Sequence, residues 1–154
     1  MSRAPVSAWW KAQELLARRA HSTGELIEKL RVRGFSAAET ESAIKRLQES
    51  RILDDEGFAR ALTDELCRRR GYGYHVVVQR LRQKKLAPEL TENVVRDYFA
   101  ELGESTLTNL IKDLVERRRP HEGDRKRLFT WLLRRGFRGA EITRALECEP
   151  ENDF

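Results

Sequence analysis

Clusters of arginine and lysine recur at corresponding places along the chain, and their chemistry suits the binding of an anionic partner. The predicted first helix of three successive segments ends in consecutive arginines: Arg18 and Arg19, then Arg68, Arg69 and Arg70, then Arg117, Arg118 and Arg119. The predicted second helix of each segment ends in further cations: Arg31 and Arg33, then Arg82, Lys84 and Lys85, then Arg134 and Arg135. Arginine binds carboxylates and phosphates through two parallel hydrogen bonds. A stripe built from such clusters would suit a long polyanion or an acidic groove.

A structural alternative stays open for any single cluster. Cations in the last turn of a helix offset the helix dipole by about 0.3–1 kcal/mol each. This explanation accounts less well for three consecutive arginines, because they span most of the circumference of a helix and repel one another. Recurrence in three stacked units would place the clusters along one side of the protein.

The middle segment carries the largest candidate patch. Arginines 68–70 precede the turn 71–73, and Lys84 and Lys85 end the helix that follows it. We expect these two basic helix ends to converge at the turn, where Tyr72 is available for stacking or packing. The sequence therefore predicts the main docking patch in the middle segment.

Motifs for catalysis or cofactor binding are missing from the sequence. It has no Gly-x-Ser-x-Gly elbow, no phosphate-binding glycine loop and no Gly-x-Gly-x-x-Gly fingerprint. The two cysteines, Cys67 and Cys148, and the three histidines match no metal-ligand spacing. The acidic pair Asp54-Asp55 immediately precedes an apolar helical stripe, which favours a helix cap over a metal or acid/base site. We therefore expect no enzymatic activity, no metal and no cofactor.

Composition indicates a helical protein without a membrane segment. Of 154 residues, 30 are Lys or Arg and 25 are Asp or Glu, which gives a net charge of +5. Because no apolar run exceeds three residues, neither a membrane-spanning helix nor a signal peptide is expected. These properties predict a soluble, intracellular protein with a modest preference for anionic partners.

The sequence repeats itself with a period of 51 residues. At this shift Leu30 aligns with Leu81 and Leu132, and residues 33–35 align with 84–86 and 135–137. The repeat predicts an all-α fold, a tandem array of three three-helix repeats that is elongated and curved. We place the repeats at residues 1–53, 54–103 and 104–147, followed by an acidic tail at 148–154.

Local signals mark the helices within each repeat. Ser22 with Glu25 and Ser36 with Glu39 have the spacing of capping boxes, which begin the second and third helices of the first repeat. Gly34 ends the second of these helices. Leucine and other apolar residues follow at intervals of three and four, which indicates one buried stripe per helix.

Four blocks in order on this repeat frame resemble the RecX family of regulatory proteins. Residues 16–22 read L-A-R-R-A-H-S and are followed by Gly34-Phe35. Residues 53–59 read L-D-D-E-G-F-A, similar to the family's L-D-D-x-R-F-A. Residues 71–85 resemble its G-x-G-P-x-x-I-x-x-E-L-x-x-K-G block, and residues 133–137 its closing L-x-R-G-[FY]. The match covers roughly residues 12 to 146.

The resemblance implies a cytoplasmic bacterial protein that binds the filament of the RecA recombinase on DNA. It further implies a non-enzymatic regulator that modulates RecA in recombinational DNA repair and the SOS response, usually by inhibiting its ATPase and strand exchange. Four positions depart from the family pattern: Gly57 replaces Arg, Tyr74 replaces Pro, Arg80 replaces Glu and Lys85 replaces Gly. These departures alter the expected surface of the middle repeat without disturbing its apolar stripes.

Two other functions remain open at this point. Three-helix units resemble helix-turn-helix folds, so the protein could bind DNA autonomously. It could also be a helical scaffold for another protein. Against autonomous DNA binding, the predicted third helix of the first repeat carries Glu39, Glu41 and Glu49, which phosphates would repel.

Overall fold

The computed structural model describes residues 6–118 and 124–147, and these contain nine α-helices and no strand. The helices are α1 Ala8–Arg18, α2 Thr23–Val32, α3 Ala37–Glu49, α4 Asp55–Asp64, α5 Tyr74–Gln83, α6 Pro88–Leu102, α7 Glu104–Arg118, α8 Arg125–Arg134 and α9 Gly139–Glu147; α4 continues as a π-helical turn, Glu65–Arg69. Three predicted features lie outside the described residues, namely Arg119, Cys148 and the acidic tail. The all-helical fold in three three-helix repeats is confirmed, with α1–α3 as repeat 1, α4–α6 as repeat 2 and α7–α9 as repeat 3.

Three helices, α2, α3 and α4, begin at the caps that the sequence predicts. The Glu25 amide donates to Ser22 Oγ at 3.1 Å while the Ser22 amide donates to the Glu25 carboxylate at 3.2 Å, and Ser36 forms the same box with Glu39. Asp54 accepts from the amide of Gly57 at 3.1 Å, which confirms its role as a helix cap. These side chains satisfy amides that would otherwise lack partners at a helix start.

A left-handed residue ends the second helix of every repeat. The φ angles are +86° at Gly34, +57° at Lys85 and +92° at Gly136, three positions separated by the 51-residue period. This conformation suits glycine, because a side chain there meets the backbone. Lys85 therefore holds a position at which the other two repeats have glycine.

Each repeat encloses its own hydrophobic core. Leu30, Leu81 and Leu132 are fully buried at equivalent places in the three clusters, as the alignment predicts. Phe99 of α6 packs against the cores of both repeat 2 and repeat 3. Separate cores joined at their borders are typical of repeat proteins.

The junctions between repeats obey the same period. The hydroxyl of Ser22, at the start of α2, donates to the carbonyl of Lys84 at the end of α5. Fifty-one residues further on, the amide of Gly73, at the start of α5, donates 2.8 Å to the carbonyl of Arg135 at the end of α8. In both junctions the positive end of one helix dipole meets the negative end of the next. The second helices are thus arranged head to tail in the order α8, α5, α2.

The two junctions differ in the chemistry that surrounds this shared contact. Between repeats 1 and 2, Lys84 forms an ion pair with Glu25 at 3.7 Å and Lys85 forms one with Glu28. Between repeats 2 and 3, the shared core residue Phe99 adds apolar contact. The junction of repeats 2 and 3 is therefore the more apolar of the two.

Cys67 gives a direct probe of packing in the π-helical turn. Its side chain is buried, and burial raises the pKa of the thiol to about 11. At pH 8 in a Cys148→Ser variant, we expect Cys67 to react with Ellman's reagent at least about a hundredfold more slowly than free cysteine, because only the thiolate reacts. Denaturant should restore the ordinary rate. Fast reaction in the native protein would show that the turn opens readily.

Candidate functional site

Tyr72 occupies a tight connection between the π-helical turn and α5. Its amide donates 3.0 Å to the carbonyl of Leu66, and the preceding Gly71 has a φ of +66°. The ring is half-buried, so one part of it packs against the core of repeat 2 while another part faces the surface. This connection lies directly at the junction with repeat 3.

Alternating arginine and aromatic side chains cross this junction. The guanidinium carbon of Arg80 lies 5.7 Å from the centre of the Tyr72 ring, and that of Arg135 lies 4.9 Å from it. Arg135 also lies 5.1 Å from the ring of Trp131, over which Arg118 lies at 4.7 Å. Each distance is within the range of a cation–π interaction. We call Arg80, Tyr72, Arg135, Trp131 and Arg118 the arginine–aromatic ladder.

The central arginine of the ladder has a structural role. Its Nε donates 2.8 Å to the carbonyl of Gly71, and its Nη2 donates to the carbonyl of Arg70. Arg135 is thereby fixed between repeats 2 and 3. Arg80 and Arg118, at the two ends of the ladder, are exposed and have no carboxylate partner among the described residues. Their hydrogen-bond donors are available to an anionic partner.

An open cleft of about 360 Å³ adjoins the ladder in repeat 2. One aromatic side chain, Tyr72, lines the cleft together with three cationic ones, Arg70, Arg80 and Lys84. Glu65 contributes a carboxylate. The Arg70 guanidinium lies 4.0 Å from Glu65, so this pair is loose and solvent-exposed. The cleft and the ladder together form a basic surface with an aromatic centre.

The structure brings only some of the predicted middle patch together. Arg70, Tyr72 and Lys84 line one cleft, as the convergence of the two helix ends predicts. Lys85 instead pairs with Glu28 of repeat 1, across the junction. Arg69 is exposed and has no ion pair within the described part of the chain.

Arg68 is held on α4 by an acidic neighbour. Its Nε donates 3.0 Å to Asp64, which also accepts a 2.7 Å hydrogen bond from the hydroxyl of Tyr98. Burial, together with this hydrogen bond to a carboxylate, raises the pKa of Tyr98 above its usual range. Arg68 therefore belongs to a local network between α4 and α6.

The predicted clusters of repeats 1 and 3 also divide into paired and unpaired arginines. Arg18 pairs with Glu14 at 2.8 Å, and Arg19 pairs with Glu25 at 3.2 Å. In repeat 3, Arg117 and Arg134 are exposed and, within the described residues, have no ion pair. Arg31 and Arg33 of repeat 1 also have no ion pair among the described residues, so unpaired arginines occur in both repeats.

The net charge along the sequence separates the middle repeat from the other two. Residues 1–53 contain ten Lys+Arg and six Asp+Glu, residues 54–103 contain nine of each, and residues 104–147 contain eleven and seven. The middle repeat is therefore neutral, and the positive charge of the ladder comes partly from repeat 3. Long-range attraction of a polyanion depends on such net charge.

Sequence reasoning missed two members of the ladder, Arg80 and Trp131. The sequence does contain a sign that Arg80 could bind an anion. This residue stands where the family that the sequence resembles usually has Glu, so a negative position has become a positive one. The spacing of Trp131 along α8 is typical of a core residue, but the side chain is half-buried and packs on the core of repeat 3 while its ring also contacts Arg118. The spacing of residues along one helix cannot reveal a contact with a side chain of another helix, such as that of Arg118 on α7.

Residues 6–118 and 124–147 contain neither a metal-binding cluster nor a membrane-spanning helix. No group of three or more His, Cys, Asp or Glu side chains there is arranged to hold a metal ion. None of the helices in these ranges combines the length and the apolar character needed to cross a membrane.

A row of three-helix repeats, each with its own core, defines the class of helical repeat proteins. Within it, residues 8–47 match the family model for the first three-helix domain of RecX, and residues 54–95 match that for the second. The chain belongs to the RecX family.

Similar proteins support this assignment over most of the chain. The regulatory protein RecX of Pelodictyon phaeoclathratiforme is 35% identical over 138 residues, covering 88% of this chain and 84% of the relative. That of Thermus thermophilus is 36% identical over 127 residues, covering 82% and 80%. The crystal structure of RecX from Lactobacillus salivarius superimposes with a TM-score of 0.76 at 18% identity, covering 91% of this chain and 92% of that one. The last comparison supports the fold.

Proposed function

We propose that this protein is a cytoplasmic, non-enzymatic regulator that binds the RecA filament on DNA as a monomer and inhibits its ATPase and strand exchange. Membership of a family whose relatives are named regulatory proteins supports the regulatory role. The resemblance in the sequence supports RecA as the target. The main support for this binding surface is the arginine–aromatic ladder. Its end residues, Arg80 and Arg118, are exposed and have no ion-pair partner among the described residues.

The ladder suits a partner that presents both protein carboxylates and DNA phosphates. Its guanidinium groups are aligned by aromatic rings, which reduces the entropy lost when they bind an anion. A filament of protein on DNA presents carboxylates and phosphates along one groove. A surface that crosses two repeats can follow such a groove over a longer distance than a single helix end.

Autonomous DNA binding through recognition helices is less well supported. In a helix-turn-helix protein the recognition helix presents donors to base edges and avoids negative charge near phosphates. The third helix of repeat 1 exposes Glu39, Glu41 and Glu49, and α6 exposes Glu89 and Asp97. Neither helix has the charge that a major groove requires.

The proposal predicts preferential binding to the filament. Near physiological salt, we expect at least tenfold tighter binding to the RecA–DNA filament than to bare single-stranded DNA, or about 1.4 kcal/mol. Affinity for bare DNA should fall steeply with salt, at a slope of roughly −0.7 per phosphate contact. Contacts with protein bury apolar and paired polar surface, so filament binding should be less sensitive to salt. Fluorescence anisotropy of labelled protein, with and without RecA, measures both affinities.

RecA-catalysed ATP hydrolysis on single-stranded DNA provides the functional test. Titration with this protein should lower the hydrolysis rate over the concentration range in which anisotropy shows filament binding. Equal affinities and equal salt slopes for filament and bare DNA would contradict the proposal and favour a plain DNA-binding protein.

A further inference from the structure

A second cleft lies between repeats 2 and 3 and shares no lining residue with the cleft beside Tyr72. It has a volume of about 370 Å³ and opens where α6, the start of α7 and α9 meet. A volume in this range is typical of clefts that bind small ligands or inserted side chains. Neither the basic clusters of the sequence nor the ladder includes any residue of this cleft.

Aromatic rings form one wall of the cleft. Tyr74 and Phe99 meet edge to face with their ring centres 5.7 Å apart, and both line the opening. The Tyr74 hydroxyl donates 3.2 Å to Glu92, so the polar end of this ring is already satisfied. The wall can therefore accept an apolar side chain without leaving a polar group unpaired.

Three arginines surround this wall. Arg138 lies over the Tyr74 ring at 4.4 Å and has no carboxylate partner among the described residues. Arg96 pairs only with its neighbour Asp97, and Arg144 pairs with Glu104 at 3.2 Å. Both pairs are solvent-exposed, and such pairs contribute at most about 1 kcal/mol. An incoming carboxylate can displace or join them at little cost.

The acidic residues of the cleft favour a peptide over a nucleic acid. Glu104 and Glu141 line the opening together with the three arginines. Consecutive phosphates of a nucleic acid would lie against these carboxylates, whereas a peptide can place its acidic side chains at chosen positions and an apolar side chain between them. Glu141 is also held by the amide of Arg138 at 2.8 Å, which keeps its carboxylate in place.

We infer that this cleft is a docking site for an acidic peptide segment of the partner protein. A large apolar side chain of that segment packs on Tyr74 and Phe99, and flanking carboxylates pair with the surrounding arginines. This inference rests on the proposed function, since it assigns the cleft to the protein component of the RecA–DNA filament. The ladder and the cleft are then separate contacts on the two repeats that share a junction.

Two substitutions test the cleft without removing a core residue. Arg96→Glu reverses one charge on its edge, and Ala100→Trp fills it sterically while keeping the charge constant; both positions are exposed on α6. Lys45→Glu is the matched charge control, because Lys45 is exposed on α3 at the position 51 residues before Arg96. Ala38→Trp, at another exposed position of α3, is the matched steric control.

Fluorescence anisotropy of each labelled variant measures its affinity for preassembled RecA–DNA filament and for bare single-stranded DNA. Circular dichroism verifies that each variant is folded. We expect each cleft variant to bind filament at least tenfold more weakly than wild type and to bind bare DNA within twofold of it. Both control variants should match wild type on both targets.

Three outcomes would overturn the inference, and they are distinguishable. Wild-type affinity of both cleft variants for filament would refute the peptide site alone. Equal losses on filament and on bare DNA would show that the cleft contacts nucleic acid. Failure of the wild-type protein to bind filament at all would refute the proposed function and, with it, this inference.

Discussion

Replacing Gly136 with alanine should lower the free energy of unfolding by about 2–5 kcal/mol. Gly136 has a φ of +92°, where an L-residue costs about 1–2 kcal/mol. An added Cβ would also lie 2.5 Å from the backbone nitrogen of Val76 in the neighbouring repeat, and overpacking of this kind costs about 1–3 kcal/mol. Urea unfolding followed by circular dichroism measures the loss.

Gly34→Ala is the matched control for this effect. Gly34 occupies the same position in repeat 1 with a φ of +86°, but a Cβ there would have no neighbour within 4 Å. Only the backbone cost remains, so we expect a loss of about 1–2 kcal/mol. Equal losses for the two variants would show that the junction of α5 and α8 shifts to accommodate the added Cβ without measurable cost.

The same comparison explains how Lys85 is tolerated in the left-handed position. A Cβ at Gly24 of repeat 1 would lie 2.7 Å from the Cβ of Lys85, so the absence of a side chain at position 24 leaves room for the lysine. Lys85 then pairs with Glu28 across the junction. The backbone cost at position 85 is therefore offset, in part, by a contact between repeats.

The features of the fold that could be predicted from the sequence are those set by local interactions. Capping boxes act over three residues, and apolar stripes act over one or two helical turns, so Ser22, Ser36 and the buried leucines could be placed from spacing alone. The 51-residue period gave the order of the helices and the equivalence of the three cores. It also predicted a common stop for the second helix of every repeat.

Contacts between repeats could not be predicted in the same way. Tyr72 and Arg135 are 63 positions apart in the sequence, and their contact depends on how α5 and α8 meet. The sequence predicts that Lys84 and Lys85 belong to the docking patch of the middle repeat. Their partners, Glu25 and Glu28, belong to another repeat and approach only through the junction.

The charge balance of each repeat, in contrast, was accessible from the sequence. Counting charges in residues 54–103 gives nine of each sign, which shows that the middle repeat has no net positive field. A run of three arginines suggests a basic patch only when nearby carboxylates are ignored. Asp64 and Glu65, about one helical turn before this run, provide partners for Arg68 and Arg70.

Removal of both unpaired ends of the ladder should have the largest effect on function. In an Arg80→Ala/Arg118→Ala double variant, we expect affinity for the RecA–DNA filament to fall about a hundredfold or more. The reason is that each hydrogen bond to a charged group contributes about 1.5–3 kcal/mol, and two such losses exceed the roughly 2.7 kcal/mol that a hundredfold change requires. Inhibition of RecA ATP hydrolysis should shift to correspondingly higher protein concentration.

The control for this prediction removes the same number of arginines from places where they already have partners. Arg18 pairs with Glu14 at 2.8 Å and Arg60 pairs with Glu101 at 2.6 Å, both at exposed positions. An Arg18→Ala/Arg60→Ala double variant has the same net charge as the ladder variant, so any effect of overall charge on association is matched. We expect this control to lose less than fivefold in filament affinity. Equal losses in the two double variants would mean that net charge, and not the geometry of the ladder, determines binding.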